Sequence, residues 1–163
     1  MKKLFSVIAV LFVLGTSSVF ARVGLGAQFG TDVAGGFKTG NAALTFKIDT
    51  VPCIFALDLG FGNDWFAAGL SADWWIANPK IEGTWGYYYA IGVGFSVGGY
   101  KDNVNFGIGP RAVLGTNIFL LQRALEFYAQ FAWQPTFYIG SGGFNPKWGC
   151  FPMGIGFRFW FDF

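Results

Sequence analysis

Large apolar residues alternate with small, polar or charged residues along the last segment of the chain, residues 150–163. The apolar positions are Phe151, Met153, Ile155, Phe157, Phe159, Phe161 and Phe163. Successive side chains of a strand point to opposite faces. The segment is therefore predicted to be a strand with one large apolar face and one face of small, charged or aromatic residues.

The same alternation recurs along the whole chain and predicts eight strands. Clusters of glycine, asparagine, aspartate and proline separate them. A proline is awkward in a fully paired strand, so Pro135 predicts a bulge in strand seven. The predicted strands cover, approximately, residues 22–30, 42–49, 53–61, 65–76, 85–99, 104–114, 124–139 and 150–163.

The charged residues show which way the two faces point. None falls on the large apolar face of a predicted strand. A charge near the middle of a bilayer costs about 2 to 4 kcal/mol, so this exclusion is typical of a surface that faces lipid. The strand charges all lie on the small-residue face: Lys47, Asp49, Asp58, Asp73, Arg111, Glu126, Arg158 and Asp162.

A soluble lipocalin-like barrel or sandwich is the alternative. It would turn the large residues inward, where an eight-stranded barrel has too little room for them. The sequence therefore favours an all-β fold, an eight-stranded antiparallel up-and-down transmembrane β-barrel over residues 22–163. Aromatic residues near the turns predict two interface girdles, Trp74, Trp75, Trp85 and Tyr87 at one end and Trp65, Tyr100 and Trp148 at the other.

The first 21 residues read as a cleaved signal peptide. Lys2 and Lys3 precede an apolar segment, and Val19-Phe20-Ala21 forms a cleavage motif. The apolar segment is too short to be a membrane-spanning helix. The sequence thus predicts export and a location in the cell outer membrane.

Composition narrows the function classes. The chain is 53% hydrophobic and only 12% charged, a balance typical of membrane proteins. Without the two signal-peptide lysines the acids and bases balance, which gives no support to a nucleic-acid partner. The chain has no histidine, so a histidine-based catalytic triad or metal site cannot be built. Ser71 and Ser96 face inward without a base, so neither an enzyme nor a cofactor is predicted.

The signal peptide, the eight alternating strands and the aromatic carboxy-terminus together resemble small bacterial outer-membrane barrels of the OmpA transmembrane-domain and OmpX type. The resemblance implies a lipid bilayer as the surroundings. It also implies that the barrel-assembly machinery reads the terminal Phe159, Phe161 and Phe163. More narrowly, GPRAVLGTNIFLL followed by LEFYAQFAWQP resembles short, largely uncharacterised spirochaetal outer-membrane proteins.

Charged residues on the inward face predict a luminal network. Arg111 and Glu126 are expected to be neighbours on strands six and seven, with Arg158 on strand eight adjoining strand seven. Since buried charges must be paired, the network is predicted to cross the lumen through Lys47, Asp58, Asp73, Arg111, Glu126 and Arg158. It would be either a plug that closes the barrel or the gate of a narrow porin, and the plug is favoured.

Two further functions stay open. The loops after strands one and seven are the longest on the predicted outer side, which suggests an adhesin for a host or matrix ligand. An OmpW-like channel for small molecules is also compatible with the glycine-rich inner face. The protein is expected to be a monomer. The candidate loop residues are Phe37, Lys38, Phe144, Lys147 and Trp148.

Cys53 and Cys150 are predicted to lie at opposite ends of the barrel. A disulfide would have to span its height, so free thiols are expected. Both termini are expected on the periplasmic side, which leaves unusually long turns, 77–84 and 115–123, on that side.

Overall fold

A computed structural model describes residues 22–35, 40–61, 65–100, 103–140 and 143–162, and this part of the chain is almost entirely strand. The strands are β1 (Val23–Asp32), β2 (Gly40–Ile48), β3 (Val51–Phe61), β4 (Trp65–Ala77), β5 (Lys80–Glu82), β6 (Trp85–Tyr100), β7 (Asn103–Leu120), β8 (Leu125–Trp133), β9 (Thr136–Gly140), β10 (Gly143–Lys147) and β11 (Pro152–Phe161). Two single-turn 3-10 helices cover Val33–Gly35 and Leu121–Arg123. No helix in these ranges is long and apolar enough to cross a membrane.

Eight of the strands form a closed antiparallel barrel. Its order is β1, β2, β3, β4, β6, β7, β8 and β11, each paired with the next along the chain. The last strand closes on the first, with Val23 opposite Phe161 and Asp32 opposite Pro152. The predicted eight-stranded up-and-down barrel is confirmed.

The two faces of the wall follow the alternation in the sequence. Large apolar side chains point outward; Leu44 is 66% exposed and Ile155 is 63% exposed. Within the described parts of the eight barrel strands, no charged side chain lies on this outward face. The inward face carries glycines, polar groups and a few aromatic rings.

The terminal end of the barrel, where β1 begins and β11 ends, is built differently from the prediction. β7 continues to Leu120, so most of the predicted turn at 115–123 is strand. The chain then reverses through Leu121, Gln122 and Arg123, whose φ angles are 48°, 55° and 72°. Left-handed backbone is uncommon without glycine or asparagine, and therefore the sequence carried no signal for this tight turn. The predicted turn at 77–84 contains the short strand β5, which pairs with β6.

The backbone hydrogen bonding of the wall is interrupted where two prolines face each other. β8 and β9 pair with β7 in one continuous register, Ala112 opposite Trp133 and Ile108 opposite Phe137, which places Pro110 opposite Pro135. Neither proline has an N–H to donate, so the ladder is interrupted there. No extra residue is inserted, and the predicted bulge is wrong for that reason.

β9 and β10 form a hairpin at the opposite end. β9 pairs with β7, and β10 lies on the other side of β9. Gly143, at φ 87°, begins its returning strand. The predicted loop from Gly140 to Gly149 is therefore partly a strand.

Candidate functional site in the barrel lumen

A layer of buried side chains crosses the lumen near the terminal end. Tyr88, Glu126 and Arg158 are 0% exposed, and their neighbours are nearly as buried. The layer, called the plug below, is made of Thr45, Lys47, Trp75, Tyr88, Asn117, Glu126, Tyr128, Arg158 and Trp160.

Glu126 is the electrostatic centre of the plug. Its Oε2 accepts hydrogen bonds from Arg158 Nη1 and from Trp160 Nε1, each at 3.0 Å. Its Oε1 accepts one from Asn117 Nδ2 at 2.9 Å. A buried carboxylate is tolerated when it is paired with a cation and its oxygens accept hydrogen bonds, as here. Arg158 is the direct cross-strand partner of Glu126, which explains the contact.

Lys47 is held by aromatic rings. Its Nζ lies 3.2 Å from the centroid of the Trp75 ring and 5.7 Å from that of Trp160. Trp75 in turn stacks on Tyr88, with the centroids 4.1 Å apart and the planes 10° apart. A desolvated cation over an aromatic face gains about 2 kcal/mol. The rings therefore contribute to holding a buried ammonium group that forms no ion pair among the described residues.

Two tyrosines tie distant strands together. Tyr88 Oη donates to Gln130 Oε1 at 2.9 Å, reaching from β6 to β8 across β7. It can do so because Gly115 lies beneath the ring; a Cβ there would stand 2.3 Å from Tyr88 Cζ. Tyr128 Oη lies 3.4 Å from Thr45 Oγ1 on β2, and the Arg158 guanidinium sits 3.9 Å above the Tyr128 ring.

A second ion pair lies further towards the opposite end. Arg111 Nε and Nη2 donate to the two oxygens of Asp73, at 2.9 Å and 3.3 Å, and Arg111 Nη1 also donates to Gln134 Oε1. The pair spans β6 over Gly92, where an added Cβ would lie 2.3 Å from Asp73 Oδ1. Glycine at this position is required by the close approach.

All six residues of the predicted luminal network point into the barrel, but they form separate groups. The expected contact between Arg111 and Glu126 is wrong, because Arg111 pairs with Asp73 and Gln134 and the register places Phe119 opposite Glu126. Asp58 accepts a hydrogen bond from Asn41 Nδ2 at 2.9 Å and belongs to neither ion pair.

The luminal network predicted from the sequence contained no aromatic residues, although Trp75, Tyr88, Tyr128 and Trp160 form part of the plug. Trp75 was assigned to an interface girdle, yet it is buried in the lumen. Trp65 of the other girdle lines the luminal cavity, whereas Trp74, Trp85, Tyr87 and Trp148 are exposed on the outside. The available signal was strand parity: Trp75 shares the inward face with Asp73.

The structure describes three of the five candidate loop residues. Phe37 and Lys38 lie outside the described residues. Phe144 stacks on Phe137 at 6.1 Å, and Trp148 meets the edge of the same ring at 5.8 Å. Lys147 is exposed at the end of β10. A role of these residues in binding stays a prediction.

Phe159 and Phe161 are exposed on the outward face of β11, and Phe163 lies outside the described residues. Cys53 and Cys150 are both buried. Both are free thiols, as predicted. No group of three or more potential metal ligands occurs in the part of the chain that the structure describes.

Comparison with known proteins supports the fold class. No family model matches the chain, and no curated protein sequence matches it. The N-terminal β-barrel domain of Pseudomonas aeruginosa OprF is similar over 86% of this chain and 97% of that domain, with 14% identity and a TM-score of 0.55. Neisserial surface protein A covers 87% of this chain and 96% of its own, with 11% identity and a TM-score of 0.46.

The chain thus has the fold of a small outer-membrane β-barrel. At 14% identity the likeness to the OprF domain shows the fold alone. The narrower resemblance to spirochaetal proteins stays a prediction.

Proposed function

We propose that this protein is an integral outer-membrane β-barrel whose lumen is closed to ions by the plug and which has no enzymatic activity. The observation that carries the proposal is the complete burial of Glu126, Arg158 and Tyr88 in the middle of a barrel. A water-filled pore would leave such groups exposed.

The outward face supports the membrane location. Apolar side chains on every barrel strand remain exposed, among them Leu44, Leu70, Ile91 and Ile155. Soluble monomers rarely expose contiguous apolar patches of more than a few hundred Å². A lipid bilayer removes this surface from water, and the predicted signal peptide provides export.

The plug is held in place from several directions. Its side chains come from β2, β4, β6, β7, β8 and β11, and contacts such as Tyr128 to Thr45 join strands that are not neighbours. Opening a path for ions would require unstacking Trp75 from Tyr88 or breaking the Glu126–Arg158 pair. Both contacts are desolvated, which makes a constitutively open pore unfavourable.

Single-channel recording of the refolded protein in a planar bilayer tests the plug. The wild type is expected to show no steady conductance, whereas a Trp75→Ala, Tyr88→Ala double variant is expected to conduct. Trp74→Ala is the matched control, because it removes the same side chain from the adjacent outward position and should stay closed. Steady conductance of the wild type would instead favour a narrow porin.

The membrane location is tested separately. The folded barrel is expected to migrate faster than the heat-denatured chain on a cold detergent gel, and to be recovered with outer-membrane fractions. Recovery in the soluble periplasmic fraction would contradict the membrane location whatever the conductance result.

A further inference from the structure

The lumen on the far side of the plug is hollow. A cavity of about 290 Å³ extends from Gln130, which contacts the plug, to Gly40 and Gly60 at the opposite end of the barrel. Ligand pockets generally have volumes of about 300 to 1,000 Å³. This cavity therefore suits a small molecule.

Two carboxylates that line the cavity, Asp32 and Asp58, form no ion pair among the described residues. Asp32 Oδ1 already accepts hydrogen bonds from the backbone N–H groups of Ala34 and Phe151. Arg111 also lines the cavity, but its positive charge is already balanced by the Asp73 carboxylate, to which it donates two hydrogen bonds. Asp58 also lines it, and Asp58 Oδ1 accepts a hydrogen bond only from the neutral amide of Asn41. The ion pairs among the described residues do not include Asp58. An enclosed carboxylate of this kind favours a cation beside it.

Neutral polar groups around the same space are also unpartnered. Gln28 and Ser71 are each only 8% exposed, line the cavity, and have no side-chain hydrogen bond within the described residues. A buried polar group without a partner costs about 1 to 3 kcal/mol. These groups can therefore serve as hydrogen-bonding partners for a bound molecule. Trp65 and Tyr138 add aromatic surface to the wall, and aromatic faces attract cations.

We propose that this cavity binds a small organic cation that carries a primary ammonium and a hydroxyl group. Asp58 pairs with the ammonium, and Gln28 and Ser71 bond the hydroxyl. The ligand is a free solute, because the cavity lies inside the barrel and ends at the plug. The site adds a binding activity to a barrel that is otherwise closed, and it does not depend on the conductance of the plug.

Ethanolamine is the probe, with ethylene glycol as its neutral analogue. The full-length mature chain, labelled with ¹⁵N and refolded in detergent micelles, is titrated while the side-chain amide signals of Gln28 and Asn41 are followed by NMR. Ethanolamine is expected to shift both signals saturably, and ethylene glycol to bind at least tenfold more weakly. Equal binding of the two compounds, or no saturable shift, would overturn the proposal.

A pair of charge-matched variants assigns the site. Asp58→Asn keeps an oxygen for Asn41 but removes the charge, so binding is expected to weaken at least tenfold. Asp49→Asn removes the same charge from an exposed turn at the terminal end and is expected to bind as the wild type does. Heat-modifiable gel mobility verifies that both variants fold. Unchanged binding by Asp58→Asn, or displacement of ethanolamine by equimolar Na⁺ or Ca²⁺, would refute an organic-cation site at Asp58.

Discussion

Replacing Glu126 with alanine is expected to destabilise the barrel by about 3 to 5 kcal/mol, the usual cost of removing one partner of a buried ion pair. The change leaves the Arg158 guanidinium, itself 0% exposed, without its counter-ion. It also removes the acceptor of the Trp160 and Asn117 hydrogen bonds. Both consequences act in the same direction.

Urea-induced unfolding of the barrel, refolded into lipid vesicles and followed by tryptophan fluorescence, measures this free energy. The control is the other terminal-end ion pair, Arg22 with Asp162, which is 2.6 Å long but has side chains 23% and 76% exposed. Because exposed pairs contribute about 0 to 1 kcal/mol, Asp162→Asn should change the unfolding free energy little. Equal losses from Glu126→Ala and Asp162→Asn would refute the reasoning from burial.

A double variant separates the charge from the packing. Arg158→Met combined with Glu126→Gln removes both charges of the pair, so that neither side chain is left as a buried ion without its partner. It is expected to be more stable than the sum of the two single changes predicts. Strict additivity would mean that the two side chains do not interact in the folded barrel.

Three further outcomes follow from local geometry. Gly92→Ala is expected to cost about 1 to 3 kcal/mol, because its Cβ would lie 2.3 Å from a backbone oxygen, while Gly149→Ala, with nothing within 4 Å, should be neutral in the same urea assay. Tyr88→Phe removes the hydrogen bond to Gln130 at a cost of about 1 kcal/mol but keeps the ring stack, so urea unfolding should shift while the bilayer stays non-conducting. Burial raises the pKa of the Cys150 thiol, so less thiolate is present at neutral pH. Iodoacetamide should therefore alkylate Cys150 more slowly in the folded than in the unfolded chain, and the alkylation rate should increase as the pH rises towards that pKa. Equal alkylation rates of the folded and unfolded chains at pH 7 would contradict the burial.

The alternation in the sequence was sufficient to predict the eight strands of the barrel wall and their faces, but not all of the strand ends or the short strands β5 and β10. A period of two assigns each side chain to a side of the wall, and this placed Glu126 and Arg158 inside. The same period says nothing about register. Shifting β8 against β7 by two residues would leave every face unchanged, and therefore the partner of Arg111 could not be deduced.

Register is fixed by turns that the sequence does not reveal. The left-handed turn at Leu121–Arg123 lacks glycine and asparagine, so β7 was predicted to end too early. The facing prolines Pro110 and Pro135 were visible separately. Their pairing, which interrupts the ladder without a bulge, depends on the same unknown register.

The contacts of the plug also imply an order in which the strands of the barrel assemble. Glu126 is synthesised before Arg158 and Trp160, two of the three residues that donate hydrogen bonds to it, and both arrive on the strand that closes the barrel against β1. Until that strand pairs, the carboxylate has no counter-ion and cannot enter a dry interior without a large cost. Pairing of β11 with β8 therefore extends the wall and neutralises the interior carboxylate in the same step, so a sheet that lacks β11 would present an unpaired carboxylate to the bilayer.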